Sequence, residues 1–229
     1  MTEFVARAEK AGFLNLADAI KAGKALKAGD RVYVNNMGKW LAMFVIGNEN
    51  LENGMNILGA HIDSPRMDIK QNPLYEDTGL AMLDTHYYGG IKKYQWVTLP
   101  LALHGVIAKK DGTTVKVSIG DKPEDPVFGV SDLLIHLSGE QMEKKGTKVI
   151  EGENLDLLIG SIPLPSDDEK EKEQAKDAVK ANVLRILEET YGVCEEDFLS
   201  AEIEVVPAGA ARDYGFDRSM IMGYGHDDR

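Results

Sequence analysis

The sequence predicts an α/β protein whose core is interrupted by an inserted β-rich module, and three observations lead there. A helical opening gives way to short apolar runs bounded by turn residues, a β-rich stretch of about 100 residues follows, and strand character resumes near residue 200. The expected division is 1–95 for the first part of the core, 96–200 for the inserted module and 201–229 for the core resumed.

The 229 residues, 43% hydrophobic and 28% charged, are enough for a sizeable core. A net charge of −12 argues against a nucleic-acid groove or an anionic membrane surface as partner, because both need clustered Lys and Arg. Cys194 is the single cysteine, so no internal disulfide can form and a reducing compartment is expected. Its neighbours Glu195 and Glu196 disfavour a thiolate, and a buried or half-buried structural thiol is the expectation. The first residues do not read as a signal peptide, and no apolar run approaches the roughly 20 residues of a membrane span. A cytoplasmic protein is expected.

The opening is read as helix from the loose apolar face of Val5, Ala8 and Phe13, continued by Leu16, Ala19 and Ile20 until Gly23 and Gly29 interrupt. Val32–Val34, the turn-rich Asn35-Asn36-Met37-Gly38 and the apolar run Trp40–Ile46 predict a hairpin leading into a buried strand. Asn56–Ala60 predicts another short strand that delivers His61 at its end, and carboxyl ends of strands are where open α/β sheets bind ligands. Further strands are expected at Met67–Ile69 and Leu80–Asp84. In the β-rich module, Val97–Ala108 and Thr113–Ile119 flank Lys109-Lys110-Asp111-Gly112, a hairpin signal, with short strands around Val127–Leu137, Lys148–Ile150 and Leu155–Ile159. One helix is expected there, opened by a capping box at Ser166-Asp167-Asp168-Glu169, carrying a stripe of Val179, Val183, Ile186 and Leu187, and ended by Gly192. Strands at Ile203–Val206 and Met220–Tyr224 complete the pattern.

Two constellations could carry chemistry. In Gly59-Ala60-His61-Ile62-Asp63-Ser64-Pro65-Arg66, an imidazole can bind zinc through one nitrogen while the carboxylate two positions on accepts the other N–H. The same His-x-Asp spacing also satisfies an ordinary structural histidine. In Gly225-His226-Asp227-Asp228-Arg229, a carboxylate after an apolar strand could bridge two metal ions; alone it is an acidic turn.

Taken together with Thr85-His86-Tyr87-Tyr88-Gly89-Gly90-Ile91 and Trp96, these stretches make the sequence resemble the aspartyl aminopeptidase family of two-zinc exopeptidases over nearly its whole length. The resemblance implies a zinc-exopeptidase-type α/β core and an inserted β-rich oligomerisation domain. It also implies a metalloaminopeptidase that removes N-terminal, acidic residues from peptides with two zinc ions. It assigns His61 and Asp227 as metal ligands, Asp63 as the partner that orients His61, and His136 as a substrate-binding residue reaching into a neighbouring subunit of a dodecamer. His136 also fits a strand histidine satisfied within its own module. His86 and His104 are read as structural, His226 as a possible neighbour of the metal site, and Arg66 as either a helper or a sheet-edge arginine.

The resemblance implies that the family pattern continues past the equivalent of Arg229 with a Glu-Glu pair, another acidic ligand and a late His, and the given sequence has no residues after the second motif in which to find them. The isolated chain is therefore expected to be an incomplete core, weak in metal affinity and inactive alone. Two other readings stay open: a non-catalytic assembly or regulatory protein that keeps the oligomerisation domain, and a two-metal peptidase of different substrate preference.

Overall fold

The computed structural model describes residues 1–165 and 176–225, and the chain falls into two compact units, Met1–Ala60 and His61–Arg229.

In the first unit, helix α1 (Thr2–Lys10) turns Ala8 inward, and an exposed Glu3–Arg7 pair spans one turn of it. Strand β1 (Leu14–Asn15) leads into α2 (Leu16–Lys21), whose first turn is capped because Asn15 Oδ1 accepts from the Ala17 amide at 2.9 Å. Strands β2 (Arg31–Asn36) and β3 (Trp40–Val45) form the expected antiparallel hairpin, and β1 adds to β2 in parallel. Met37 and Gly38 take the positive φ that so tight a connection requires. The Tyr33 hydroxyl donates to Glu9 at 2.7 Å and ties sheet to helix.

Two expectations fail here. The run Trp40–Ile46 is a strand but not a buried one: Trp40, Met43, Phe44 and Val45 are all exposed. The reason is position, since β3 is the edge of a three-stranded sheet with β2 alone beside it. Asn56–Ala60 is irregular and exposed instead of a strand, with Leu58 99% accessible. Among the described residues no strand pairs with it, and an extended segment without a ladder partner leaves its backbone groups to water.

The second unit is built on one antiparallel sheet of six strands, in the order β7-β6-β9-β4-β5-β8. Strand β4 (Arg66–Asp77) and β5 (Leu80–Tyr88) form a long hairpin closed by Thr78 and Gly79, both at positive φ. Strand β6 (Leu101–Ala108) and β7 (Thr114–Ile119) form the second, across the Asp111-Gly112 turn, where Asp111 accepts from the Thr113 amide and hydroxyl. Strand β8 (Leu157–Gly160) pairs with β5, and β9 (Ala201–Pro207) sits between β6 and β4. This sheet takes strands from each of the three segments delineated in the sequence. A separate small hairpin joins β10 (Arg212–Tyr214) to β11 (Met220–Met222).

The core is where the central strands meet their covering elements: Met67, Leu101, Leu155, Leu157 and Val205 are fully enclosed. Glycine makes one seam possible. A Cβ on Gly105 of β6 would stand 1.9 Å from the Glu202 carbonyl oxygen of β9, so only a bare backbone lets the two strands pair in this register.

Helix α3 (Gly139–Met142) is a single turn, whereas α4 (Ala178–Tyr191) packs Val183, Leu184 and Leu187 against the core. Gly192 ends α4 in the left-handed conformation, as expected. Ile186, assigned to the apolar stripe, faces outward at 44% exposure. The capping box expected at Ser166–Glu169 lies outside the described residues; the first amides of α4 are instead met from β4, where Glu76 Oε2 accepts from Val179 and Lys180 at 2.8 and 2.9 Å.

Other local expectations are corrected. Of Val127–Leu137, only Phe128–Val130 makes bridges, and Ile135–Leu137 is a 3-10 turn; Lys148–Ile150 is a turn rather than a strand. Cys194 is exposed rather than buried, opening the 3-10 segment Glu195–Ser200, and its amide donates to Asp197 at 2.9 Å. No helix among the described residues is long and apolar enough to cross a membrane.

Candidate metal centre

His61 stands in the irregular stretch just before β4, not at the end of a strand, and its side chain is largely exposed. The expected pairing is nevertheless present: His61 Nδ1 lies 3.1 Å from Asp63 Oδ1. With the proton on Nδ1 and shared with this carboxylate, the lone pair resides on Nε2, the tautomer in which an imidazole serves as a metal ligand.

The other oxygen of Asp63 is also occupied. Tyr88, the last residue of β5, donates its hydroxyl to Asp63 Oδ2 at 2.5 Å. Tyr88 and His61, each donating to one carboxylate oxygen, hold the Asp63 carboxyl below its ordinary value, the Tyr88 bond being the larger influence. The same bond raises the Tyr88 hydroxyl, which is less willing to ionise beside a carboxylate.

Tyr88 is held from behind. Arg66 and Tyr88 are direct cross-strand neighbours in the β4–β5 hairpin, and the guanidinium lies over the phenol ring, 4.4 Å from its centre. Arg66 is anchored in turn by Asp68 at 2.9 Å and by Glu204 of β9 at 3.2 Å. Partial burial pulls the guanidinium down, but Glu204 and Asp68 outweigh it and keep its value above the ordinary one. Arg66 is thus a bracket between three strands. Gly89 then turns the chain with φ 71°, and a Cβ there would press on Pro65 at 3.2 Å.

The start of the terminal motif lies against this assembly. Ser64, 4% exposed, has its hydroxyl 3.5 Å from the Gly225 carbonyl, and the Tyr224 hydroxyl bonds the Pro65 carbonyl. Trp96 meets the Tyr224 ring edge to face at 5.9 Å between centres. Asp227, the expected bridging ligand, and His226 lie outside the described residues. Among the described residues no three His, Cys, Asp or Glu side chains gather as a metal site, so His61 with its Asp63 partner is the part of the donor set in view.

None of the other described histidines joins it in a cluster of three or more metal-ligating side chains. His136 is exposed on the 3-10 turn Ile135–Leu137, flanked by exposed Leu134 and Leu137. His86 Nδ1 lies 3.1 Å from the Tyr87 carbonyl oxygen. His104 reaches Asp121 at 3.3 Å, a partner 17 residues on that sequence spacing hides and the β6–β7 hairpin brings close. Sequence reading likewise missed Tyr88 as a contact of Asp63. Its only signal was that the Thr85–Ile91 stretch stood out as a motif.

Comparison with known proteins places the chain in a family. All 229 residues match the family model described as aminopeptidase I zinc metalloprotease (M18). The chain is 66% identical to the probable M18 family aminopeptidase 1 of Clostridium acetobutylicum, over 100% of this chain and 48% of that protein. The crystal structure of aminopeptidase I from C. acetobutylicum superposes with a TM-score of 0.84 at 65% identity, covering 99% of this chain and 48% of that one. The M18 aminopeptidase of Thermotoga maritima gives 0.85 at 50% identity, covering 99% and 47%. At 18% identity the S. cerevisiae mApe1 dodecamer shares the fold, with a TM-score of 0.58 over 96% of this chain and 47% of that one. The chain spans about half the length of the relatives it matches. It belongs to the aminopeptidase I zinc metalloprotease (M18) family.

Proposed function

We propose that the chain supplies part of the active site of a two-zinc aminopeptidase that removes N-terminal, preferentially acidic, residues from peptides. The observation that carries this reading is the approach of the two motifs: the carbonyl of Gly225, which opens the terminal motif, lies 3.5 Å from the hydroxyl of Ser64, which directly follows the His-x-Asp pair. In this reading His61 and Asp227 would hold metal, and Asp63 would keep the His61 proton on Nδ1, leaving the Nε2 lone pair available as a ligand. When bound, a zinc pair supplies Lewis acidity toward a peptide carbonyl and an activated water. The exposed His136 turn belongs to the substrate side of a neighbouring subunit. The β-rich module of residues 96–200, whose strands share one sheet with β4, β5 and β9, carries the subunit contacts of a homo-oligomer, a dodecamer by likeness to mApe1. A cytoplasmic setting suits its single, exposed Cys194.

A catalytic zinc ordinarily takes three protein ligands, more than His61 and Asp227 provide, so the 229-residue chain is expected to be inactive by itself. The test is a chimera in which this chain replaces the matching 48% of the C. acetobutylicum protein. Zinc-dependent release of the first residue from Asp- and Glu-leading peptides is expected, faster than from Leu-leading ones, with loss of about 100-fold or more on His61→Ala or Asp227→Asn. A folded chimera that loads zinc and hydrolyses none of these peptides would overturn the proposal.

A further inference from the structure

We infer that Tyr88 is a positioning residue for the His61 imidazole, acting through Asp63. The inference deepens the zinc-site reading above and rests on it for its functional meaning, though its geometry stands independently. A carboxylate two residues from the histidine it orients can rotate about its own side chain and swing on a loop. Here it has little freedom to do either. Asp63 Oδ2 is held by the Tyr88 hydroxyl at 2.5 Å, which leaves Oδ1 facing His61 Nδ1 at 3.1 Å.

The anchor is worth more than a single exposed bond because of where Tyr88 is fixed. Its backbone is the end of β5, opposite Arg66 in the register of β4. Its ring is covered by the Arg66 guanidinium, and that guanidinium is clamped between Asp68 on β4 and Glu204 on β9. The chain of contacts therefore runs from three strands of the rigid sheet, through one phenol, to a histidine that sits on no regular element. A loop histidine acquires the orientation of a sheet residue. Metal sites lose affinity when such outer partners are removed, by about 10-fold at the low end for a partner of a ligand.

The effect is on tautomer and orientation, so it can be read without metal or activity. In the metal-free 229-residue chain at about pH 8, where a histidine is mostly neutral, nitrogen-15 spectra should show His61 predominantly in the Nδ1–H form. Tyr88→Phe keeps the ring under Arg66 and removes only the hydroxyl. It should cost the Nδ1–H form its predominance while leaving the melting temperature nearly unchanged, and it should weaken zinc binding about 10-fold. Tyr87→Phe, the adjacent exposed tyrosine, serves as the control and should change neither. An unchanged His61 tautomer in Tyr88→Phe would overturn the inference, as would an equal change in Tyr87→Phe. If the tautomer shifts but the chimera described above remains inactive, the positioning stands and the peptidase reading falls; the converse result separates them the other way.

Discussion

The segment Trp40–Val45 and the strand Leu101–Ala108 are alike in sequence texture, both short apolar runs bounded by turn residues, yet they end in opposite environments. Leu101 and Ala102 are fully enclosed, whereas Met43 and Phe44 are 45% exposed. The difference lies in neighbours: β6 has β7 on one side and β9 on the other, with covering residues on its face, while β3 has β2 alone. An apolar run therefore reports a tendency to be a strand, and the sheet around it decides whether that strand is interior.

Three substitutions break or sharpen this contrast. The largest effect is expected at the interior seam, where Gly105→Ala would force β6 and β9 apart because its Cβ has only 1.9 Å to the Glu202 oxygen. A loss of about 4 kcal/mol or outright failure to fold is expected, measured by urea unfolding. A melting curve like that of the parent would refute the close approach of the two strands.

An intermediate effect concerns the hydrogen-bonded pair beside the sheet, where the Tyr75 hydroxyl donates to Asp156 at 2.5 Å. Burial raises the Asp156 carboxyl above its ordinary 3.8, and nearby Asp84 adds to this against the opposing Tyr75 bond. The folded state therefore keeps this proton to higher pH than the unfolded state does. Its stabilising contribution is complete below about pH 3.8 and is lost as pH rises through the raised folded value. Relative to Asp156→Asn, the parent should lose stability on going from pH 3.5 to about 6.5. Parallel stability curves for the two proteins would rule out the burial effect.

The smallest effect belongs to the exposed region. Leu58→Ser, at a side chain 99% accessible, should change the unfolding free energy of the chain by no more than about 0.5 kcal/mol. A drop of several times that size would mean that Asn56–Ala60 is covered in solution.

Much of the sheet was legible because its signals are local. The Asp111-Gly112 turn, the pleated run at Ile203–Val206 and Gly192 at the end of α4 each specify structure within a few residues. What escaped is long-range. Glu76 caps a helix about 100 residues downstream, and Tyr88 steadies Asp63 across 25, so no spacing rule registers either. At Leu133–Leu137 the alternating apolar pattern misled, because nothing in that run reveals the absence of a strand beside it. The His61–Asp63 pair was legible as a pair of residue types with a chemical reason to meet, while its placement before β4 rather than after a strand was not.

The contact between Ser64 and Gly225 spans 161 residues of chain. Joining such distant points in an unfolded polymer costs on the order of 4–5 kcal/mol in loop entropy. Because β4 and β9 pair at Asp68 and Glu204, the sheet leaves only the short flanking stretches 64–68 and 204–225 for this contact to close.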